Sequence, residues 1–489
     1  MKKRLILFAL ALAPCSYAQT PAAGLDPGPA VILSGDFPDP TILRDGGDFF
    51  LTHSSFHYLP GLLIWHSTDL YRWRPVARAL SRHVGSVWAP DLIKHNDKFY
   101  IYFPAGETNW VVTAKSPYGP WSDPVDLKIK GIDPGHVAAP DGKRYLHLNR
   151  GEAFELAPDG LSVKGDRRKV YGGWQYPEDW VVECFCLESP KLAFRKGFYY
   201  LTSAQGGTAG PSTSHMVVAA RSKSPLGPWD NSPYNPIIRT WSRSEPWWSK
   251  GHGTVFERAS DEWFIVYHAM ENGARRKGRQ TLLEAIDWKD DGWYVPRHPD
   301  RDRFQAKIYR NWEIASDDFA ASSLGLQWQF EGIEKKHEFR LQDGKLRFDT
   351  KDAKRTLLLL PVTGADFEVA VQLEAEGDAE AGLLLYQGPD ALLGIGLKDG
   401  AVVSPTGSTY RYRDRIECKA CRHLKYRFER KEMVLSFSQD GVRWRRFPRA
   451  FDVGLFPEFG SLKIAVYGYG KGAVVLDQFD YRSIGDTKR

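Results

Sequence analysis

The chain has 489 residues, and its 66 Lys and Arg residues against 60 Asp and Glu residues give a formal net charge of +6. A charge this small and this evenly spread argues against a nucleic-acid-binding protein. Beyond the N-terminal segment, no stretch approaches the roughly 20 unbroken apolar residues that a membrane-spanning helix needs. The length leaves room for two or three domains.

The N-terminal residues have the pattern of a secretory signal peptide. A basic start at residues 2–4 is followed by an apolar run at 5–13 and a small-x-small site at 16–18, in the order that signal peptides show. We expect residues 1–18 to be cleaved and the product to be exported, either to the periplasm or out of the cell. Loss of three basic residues and no acidic residue with this segment lowers the formal charge from +6 to +3.

One segment recurs five times between residues 30 and 300. Each copy has a polar or Pro-flanked head, a short apolar run, a turn with Gly, Asn or Asp, and an aromatic-rich strand, which together predict a β-hairpin. The copies read DPTILRDGGDFFLTHSS from Asp39, PDLIKHNDKFYIYFPA from Pro90, GHVAAPDGKRYLHLN from Gly135, ESPKLAFRKGFYYLTSA from Glu188 and HGTVFERASDEWFIVYHA from His252.

A second repeat lies between these hairpins and ends in Trp. It is found at Trp73, Trp121, Trp229 and Trp288, while the third unit lacks a clear version. Units of about fifty residues with four short strands are typical of propeller blades around a central channel. The sequence therefore predicts an all-β fold whose first domain, residues 19–305, is a five-bladed β-propeller.

The chain changes character after the fifth repeat. The stretch VPRHPDRDRFQAK is rich in proline and charge and indicates a domain boundary. Beyond it, alternating segments such as HEFRLQDGKLRFDT and SLKIAVYGYG are separated by turns at the spacing of a β-sandwich. Residues 306–489 are accordingly predicted to form a C-terminal β-sandwich.

The heads of the five hairpins are expected to meet at one end of the propeller channel, because the innermost strand of every blade lies beside the axis. Three of the heads are carboxylates. Ionisable groups that face one another across a channel cost free energy of folding, so their presence there favours a functional role. The alternative is that each acid only caps a turn, as Asp-Pro pairs often do. The heads are Asp39, Asp91, His136 or the nearby Asp133, Glu188 and His252.

Four cysteines follow the signal segment as two close pairs, Cys184 with Cys186 and Cys418 with Cys421. An exported chain permits disulfides. A single Cys-x-x-Cys pair is half of a tetrahedral zinc site, so Cys418 and Cys421 favour a local disulfide or free thiols over metal.

Four motifs in order resemble glycoside hydrolase family 43, in the branch of β-xylosidases and α-L-arabinofuranosidases. The resemblance runs from about Gly35 to Trp288, and the tail that begins DDFAASSLGLQWQF resembles the sandwich often appended in that branch, a concanavalin-like jelly roll. The motifs are FPDPTILRDGGDFFLTHSSF, SVWAPDLIKHNDKFYIYF, CLESPKLAFRKGFYYLTSAQGG, and GHGTVF with GRQTLLEAIDW.

The resemblance implies a catalytic role for each of the three acids. Asp39 matches the family's general base, Glu188 its general acid, and Asp91 the acid that tunes the pKa of the general acid and orients it. It also implies inversion of configuration, which needs a gap of roughly 6.5–9.5 Å between the base and the acid. Ser189 stands where the family commonly has Gly.

The resemblance also suggests residues that contact the substrate. His252 matches a family histidine on the channel axis, which in some members supports the site through a water-ligated metal. Arg279 matches an arginine on the substrate side, with a surface charge next to the basic run 275–277 as the alternative. Trp88 and Phe56 lie beside the catalytic heads in sequence and are candidate sugar-stacking walls, with core packing as the alternative. We expect no required cofactor, and a structural calcium ion near His252 as the one candidate metal.

The favoured function is an inverting, exo-acting glycoside hydrolase that removes pentoses from plant polysaccharides or oligosaccharides, in particular a β-1,4-xylosidase. The expected partner is a xylo- or arabino-oligosaccharide. The alternatives are an α-L-arabinofuranosidase, a galactan- or arabinan-cleaving member, or a carbohydrate-binding propeller without activity. The C-terminal domain is expected either to close one side of the pocket or to bind polysaccharide independently. The sequence does not indicate an oligomeric state.

Overall fold

The computed structural model describes residues 29–297, 306–309, 314, 316–331, 339–350, 354–407 and 414–484. Within these ranges the regular structure is β-strand, with single 3-10 turns at Asn149–Gly151, Arg275–Lys277 and Val453–Leu455 and no α-helix. No described helix is long and apolar enough to cross a membrane. The predicted signal peptide and the predicted boundary at residues 305 and 306 fall in or next to segments outside these ranges.

The first part of the chain folds into twenty-four described strands. They are β1 (Ala30–Leu33), β2 (Thr41–Asp45), β3 (Asp48–Thr52), β4 (Tyr58–Leu59), β5 (Gly61–Ser67), β6 (Arg74–Leu80), β7 (Asp91–His95), β8 (Lys98–Ala105), β9 (Thr108–Ala114), β10 (Val125–Asp126), β11 (Gly135–Ala138), β12 (Arg144–Leu148), β13 (Glu152–Leu156), β14 (Val163–Lys169), β15 (Glu188–Arg195), β16 (Phe198–Gln205), β17 (Met216–Ser222), β18 (Asp230–Asn231), β19 (Ile238–Arg239), β20 (Trp247–Ala259), β21 (Glu262–Glu271), β22 (Arg279–Trp288), β23 (Tyr294–Pro296) and β24 (Lys307–Ile308).

These strands form five sheets, which confirms the predicted five-bladed propeller. The strand orders are β2-β3-β5-β6, β10-β9-β8-β7, β11-β12-β13-β14, β15-β16-β17-β18 and β20-β21-β22-β1. The strands β2, β7, β11, β15 and β20 contact one another in turn and so line the axis. Strand β1 pairs with β22 in the fifth blade, so the start of the described chain closes the ring.

Apolar side chains fill the spaces between blades because each sheet is covered on both faces. The strands β5 and β8 are buried along nearly their whole length, as strands covered on both faces are expected to be. Trp65, Ile101 and Ile265 are fully buried and belong to three separate clusters between neighbouring blades. This packing fixes the blades relative to one another and therefore fixes the ends of the axial strands.

The rest of the described chain forms the predicted sandwich of two antiparallel sheets around one apolar core. Their orders are β33-β32-β31-β30-β37-β28-β25-β4 and β26-β27-β38-β29-β34-β35-β36. The additional strands are β25 (Gln329–Glu331), β26 (Phe339–Gln342), β27 (Lys345–Thr350), β28 (Thr356–Pro361), β29 (Phe367–Gly377), β30 (Glu380–Tyr386), β31 (Leu392–Lys398), β32 (Ala401–Val403), β33 (Arg415–Glu417), β34 (His423–Glu429), β35 (Glu432–Ser438), β36 (Arg445–Asp452), β37 (Lys463–Tyr469) and β38 (Gly472–Ser483).

The two parts share a sheet. Strand β4, which comes from the first blade, pairs with β25 at the edge of the sandwich. The partly buried Arg78 guanidinium donates hydrogen bonds to the Leu326 carbonyl (2.6 Å) and the Pro60 carbonyl (2.8 Å). Both predicted cysteine pairs are disulfides, one in the loop before β15 and one in the sandwich.

Candidate active site

The repeats share one register at the channel mouth, marked by a proline directly before the axial strands β2, β7 and β11 and by a proline near the start of β15. The prolines are Pro40, Pro90, Pro134 and Pro190. The residues that precede them are Asp39, Ala89, Asp133 and Ser189, and His252 takes the equivalent place in the fifth repeat. The residues that follow them are Thr41, Asp91, Gly135 and Lys191.

The residues that precede the prolines, together with His252, form an upper level of the site, and the residues that follow the prolines form a lower level. Four residues of the upper level have left-handed backbone. Asp39, Asp133, Ser189 and His252 have φ values of 59°, 58°, 54° and 54°. Non-glycine residues hold this conformation at a cost, and it clusters at functional sites. Ser189 adopts a conformation that glycine takes freely, which gives a physical reason for the glycine common here in the family that the motifs resemble.

His252 lies at the centre of the site, between three carboxyl groups. Its Nδ1 is 3.4 Å from Oδ1 of Asp39, and its Nε2 is 3.2 Å from Oε1 of Glu188 and 3.6 Å from Oδ2 of Asp133. Burial alone would lower the pKa of His252, but Asp39, Asp133 and Glu188 outweigh burial and raise the pKa to about 9. The ring is therefore a cation at neutral pH.

Asp39 is buried and held by four neighbours. Its Oδ2 accepts a hydrogen bond from Ser54 Oγ at 2.5 Å, and its Oδ1 accepts one from Arg279 Nη1 at 3.0 Å. Its backbone N–H donates to Nδ1 of His268 at 3.2 Å. Burial opposes ionisation, yet the charges of Arg279 and His252 hold the pKa of Asp39 well below its usual value. Asp39 is an ionised carboxylate across the working range of pH.

Asp133 joins this group, although the sequence prediction named it only as a neighbour of His136. It is buried, and its Oδ2 accepts a hydrogen bond from the Ser189 backbone at 3.2 Å. Burial, together with the negative charges of Glu188 and Asp39, raises the pKa of Asp133 to about 7. The matching Asp-Pro pairs at 39–40 and 133–134 are the sequence signal that identifies it.

The contacts of Asp91 are with Lys191, Thr41 and the His136 backbone, so they do not support its predicted role of tuning and orienting the general acid. Its Oδ1 is 3.0 Å from the Lys191 ammonium and 3.3 Å from Thr41 Oγ1, and its Oδ2 accepts from the His136 backbone at 2.7 Å. The reason is register. Asp91 follows its proline, whereas Asp39 precedes its own, and two residues along a strand move a side chain by about 6.6 Å.

Lys191 completes this second level beneath the site. Besides the Asp91 carboxylate, its ammonium donates to the carbonyls of Pro90 at 2.7 Å and Pro134 at 2.9 Å. It therefore ties together the starts of three axial strands. The chain at Gly135 passes so close that a Cβ there would lie 1.5 Å from the Pro190 carbonyl oxygen, so only glycine fits.

Two further histidines, absent from the sequence prediction, pack behind His252. The rings of His215 and His268 stack with centroids 5.2 Å apart, and His268 lies 5.1 Å from His252. Burial lowers the pKa of His268 to about 3 and holds the pKa of His215 well below its usual value. Of the three rings, only His252 is charged. A Cβ at Gly251 would lie 1.7 Å from the His215 ring, so the packing is tight.

The predicted wall residues lie on the Asp39 side of the site. Phe56 forms an isolated β-bridge with Val87, the residue before Trp88. The Arg279 guanidinium lies 5.9 Å from the centre of the Phe56 ring. Trp88 is 47% exposed and donates from Nε1 to Ser86 Oγ at 2.9 Å. Both aromatic rings therefore remain candidates for contact with a ligand, and core packing does not account for Trp88.

The donor atoms around His252 do not fit the predicted calcium ion as a direct ligand set. Two groups lie close enough to hold a metal, Asp39 with His252 and His268, and Glu188 with His215 and His252. Each offers two imidazole nitrogens and one carboxylate, whereas Ca²⁺ takes six to eight oxygens.

Comparison with known proteins gives matches for both parts of the chain. Residues 29–294 match the family model described as glycosyl hydrolases family 43. Residues 316–460 match that of the β-xylosidase C-terminal concanavalin A-like domain, which confirms the predicted type of sandwich. The structure of a xylan β-1,4-xylosidase from Bacillus halodurans has a TM-score of 0.81 at 25% identity, covering 92% of this chain and 99% of that one.

Curated relatives carry two related activities in their names. A non-reducing end α-L-arabinofuranosidase of Bacteroides ovatus is 32% identical over 366 residues, 66% of each chain. A xylan 1,3-β-xylosidase of a Vibrio species is 32% identical over 306 residues, 54% of this chain and 56% of that one. The alignments thus span less than two thirds of the length of these relatives.

Proposed function

The chain belongs to glycosyl hydrolase family 43, and from this membership we propose that it is an inverting, exo-acting β-1,4-xylosidase. The observation that carries the proposal is the position of His252, with the base Asp39 at one ring nitrogen and the acid Glu188 at the other. One imidazole ring between the two carboxyl groups keeps them within the upper limit of roughly 9.5 Å that inversion allows.

Asp39 acts as the general base. Hydrolysis with inversion needs one carboxylate that stays ionised and takes a proton from the attacking water. Burial raises the pKa of Asp39, but the charges of Arg279 and His252 lower it well below its usual value. The carboxylate is therefore ionised and able to accept a proton. Its two oxygens are fixed by Ser54 and Arg279, so the direction in which the water is activated is fixed too.

Glu188 acts as the general acid that protonates the departing oxygen. Its side chain is 17% exposed, more than the neighbouring Asp39, Asp133 and His252, so it is the group of the four that opens furthest to a ligand. The negative charge of Glu188 is one cause of the raised pKa of Asp133, about 7, so Asp133 keeps its proton up to neutral pH beside the acid. Two adjacent carboxyls that cannot both ionise are a source of one acid near neutral pH.

The role first given to Asp91 therefore passes to Asp133. Asp133 and Glu188 face the same nitrogen of His252, which is the arrangement that lets one carboxyl alter the protonation of the other. Asp91 becomes a positioning residue, because it holds Lys191 and the starts of the axial strands rather than the acid.

Phe56, Trp88 and Arg279 are proposed to contact the sugar. Aromatic rings offer flat apolar faces to the C–H faces of a pyranose, and the donors of Arg279 that Asp39 leaves unused can reach hydroxyl groups. We propose that hydrolysis needs no directly bound calcium ion, because each donor group around His252 offers two imidazole nitrogens and one carboxylate, which do not suit Ca²⁺. The full set of acids speaks against a binding protein without activity.

We also propose that the protein is exported. The supporting observations are the signal-like pattern of residues 1–18 and the two disulfides, which form and persist in oxidising compartments. The C-terminal sandwich is proposed to support the propeller through the shared β4–β25 sheet.

The test of the proposed function is product analysis on xylo-, arabino- and galacto-oligosaccharides, with NMR of the first-formed anomer. We expect xylose to be released from one chain end as the α-anomer from a β-linked substrate. Release of arabinose alone would favour the activity named for the Bacteroides ovatus relative. Retention of the β-anomer would contradict the mechanism.

A further inference from the structure

An aromatic surface that the catalytic mechanism does not use lies on the loop that leads to Glu188. The connection between β14 and β15 spans residues 170–187, and loops of this length in compact domains are usually functional. Four of its side chains and one from the segment before β20 contact one another. These five residues, called the aromatic shelf below, are Trp174, Tyr176, Trp180, Phe185 and Trp241.

The rings of the aromatic shelf follow one another across the surface. Phe185 lies 5.8 Å from Tyr176, Tyr176 lies 6.4 Å from Trp180 with nearly parallel planes, and Trp180 lies 5.5 Å from Trp241. Phe185 and Trp241 are 37% and 36% exposed. Contiguous exposed apolar surface of this kind marks a binding site more often than a chance exposure.

The aromatic shelf is held rigidly. The Trp174 backbone and the Gln205 side chain exchange hydrogen bonds of 2.9 and 3.1 Å. The Glu183 carboxylate accepts from the backbone of Ala209 and Gly210 at 2.8 Å each. The disulfide between Cys184 and Cys186 brackets Phe185. A loop ordered in advance loses little entropy on binding, which favours affinity.

One face of the aromatic shelf is already covered. The guanidinium of Arg239 lies 3.5 Å from the centre of the Trp180 ring and 5.2 Å from that of Trp241. Arg239 is 8% exposed and donates from Nε to the Thr213 carbonyl at 2.9 Å. It thus supports the two tryptophans from beneath and leaves their outer surfaces to a ligand.

The position of the aromatic shelf indicates which part of a substrate it meets. The acid gives its proton to the oxygen of the leaving sugar, so the leaving part of the chain lies on the side of Glu188. Phe185 is three residues before Glu188, and three residues span at most about 11 Å. The base Asp39 lies on the other side of His252. The aromatic shelf therefore begins where the leaving chain emerges.

From these observations, and resting on the proposed function, we propose that the aromatic shelf binds the leaving-side sugars of a β-linked pentopyranan chain beyond the first one. Each pyranose presents a flat C–H face to a ring, so a row of aromatic rings suits successive sugars of a polysaccharide chain. The loop would then give the enzyme a preference for long substrates over short ones, in addition to the contacts made in the pocket around His252.

Comparison of a long substrate with a short one tests this proposal. The variants are Trp180→Ala and Phe185→Ala, and the measured quantity is the ratio of kcat/KM on xylohexaose to kcat/KM on an aryl xyloside, which has no leaving-side sugars. We expect each variant to lower this ratio about three- to tenfold. Phe185→Trp, which keeps an aromatic ring at this position, should leave the ratio close to that of the wild type. The matched control is Phe194→Ala, which removes a phenylalanine that is 56% exposed near the other end of the same strand as Glu188.

An unchanged ratio would overturn the proposal, whether the two rates fall together or stay as they are. Equal loss on both substrates would mean that the loop only supports Glu188. Calorimetry of xylohexaose binding to the Glu188→Gln protein separates this result from a failure of the proposed function. If the wild-type chain hydrolyses neither xyloside, binding that weakens in Trp180→Ala would still support the aromatic shelf, and absence of binding would overturn it.

Discussion

The ammonium group of Lys191 lies 3.0 Å from a carboxylate oxygen of Asp91, and both side chains are almost fully buried. This ion pair stands one level below the group formed by Asp39, Asp133 and His252, and it bonds to carbonyl groups of two neighbouring blades. The two levels have different tasks. The lower level fixes the axial strands, and the upper level carries the proton transfers.

The difference between the two levels predicts that Asp91→Asn and Asp133→Asn act on different properties. Breaking a buried ion pair leaves one charge uncompensated, so we expect Asp91→Asn to lower the free energy of unfolding by about 3–5 kcal/mol. Asp133→Asn removes a carboxyl whose ionisation the site disfavours, so at pH 8 this variant should be at least as stable as the wild type. Urea unfolding of both variants checks this, and equal destabilisation would contradict the division.

Asp133→Asn should also change the dependence of activity on pH. The pKa of Asp133 is raised to about 7, so Asp133 loses its proton near pH 7, which predicts an alkaline limb there in kcat/KM. In the variant the remaining carboxyl has no second negative charge beside it, so the limb should move to lower pH. A limb at the same pH in both proteins would show that Asp133 does not tune the acid.

The roles of the acid Glu188 and the base Asp39 can be distinguished by how the rate of each variant depends on the leaving group of the substrate. Glu188→Gln removes the proton donor, so we expect turnover of an aryl xyloside with a poor leaving group to fall about 10²–10⁴-fold. A good leaving group needs no proton and should lose far less. Asp39→Asn removes activation of the water and should reduce both rates alike. Rates on a series of substituted aryl xylosides measure this, and identical slopes for the two variants would contradict the assignment.

The charge on His252 predicts a change in stability at alkaline pH. Its pKa is raised from 6.5 to about 9 in the folded protein, so the stabilisation is fully present below pH 6.5 and is lost as the pH rises through 9. The loss amounts to about 3 kcal/mol. His252→Gln should lack this component. Unfolding of both proteins at pH 6.5 and pH 9 gives the comparison, and an equal slope in both would exclude the raised pKa.

Removal of metal is expected to leave the activity unchanged. The donor groups around His252, each with two imidazole nitrogens and one carboxylate, do not suit calcium. Treatment with a chelator, followed by assay at pH 6 with and without added Ca²⁺, tests this expectation. Loss of activity that calcium restores would show that an ion, and not the His252 cation, occupies the centre of the site.

Periodicity and motif order were sufficient to predict the five blades, the sandwich, and the meeting of Asp39, Glu188 and His252. Each of these depends on a pattern that the chain repeats: hairpins of alternating hydrophobicity, with a head at the same place in each. Because a propeller brings equivalent positions to one end of one channel, the repeat by itself predicts proximity. The disulfide pairings were left open between bonded and free thiols.

Only the tertiary structure showed which acid joins Asp39 and Glu188 as the third carboxyl beside His252, because the two candidates differ by a shift of two residues along the strand. Asp91 and Asp133 each adjoin a proline at the start of an axial strand, but on opposite sides of it, and about 6.6 Å along the strand separates a partner of Lys191 from a partner of His252. The pKa values of His252 and Asp133 likewise depend on burial and on charges as far apart along the chain as Asp39 and His252. The sequence determined which groups are present near the channel, and the packing of the blades determined which of them surround His252.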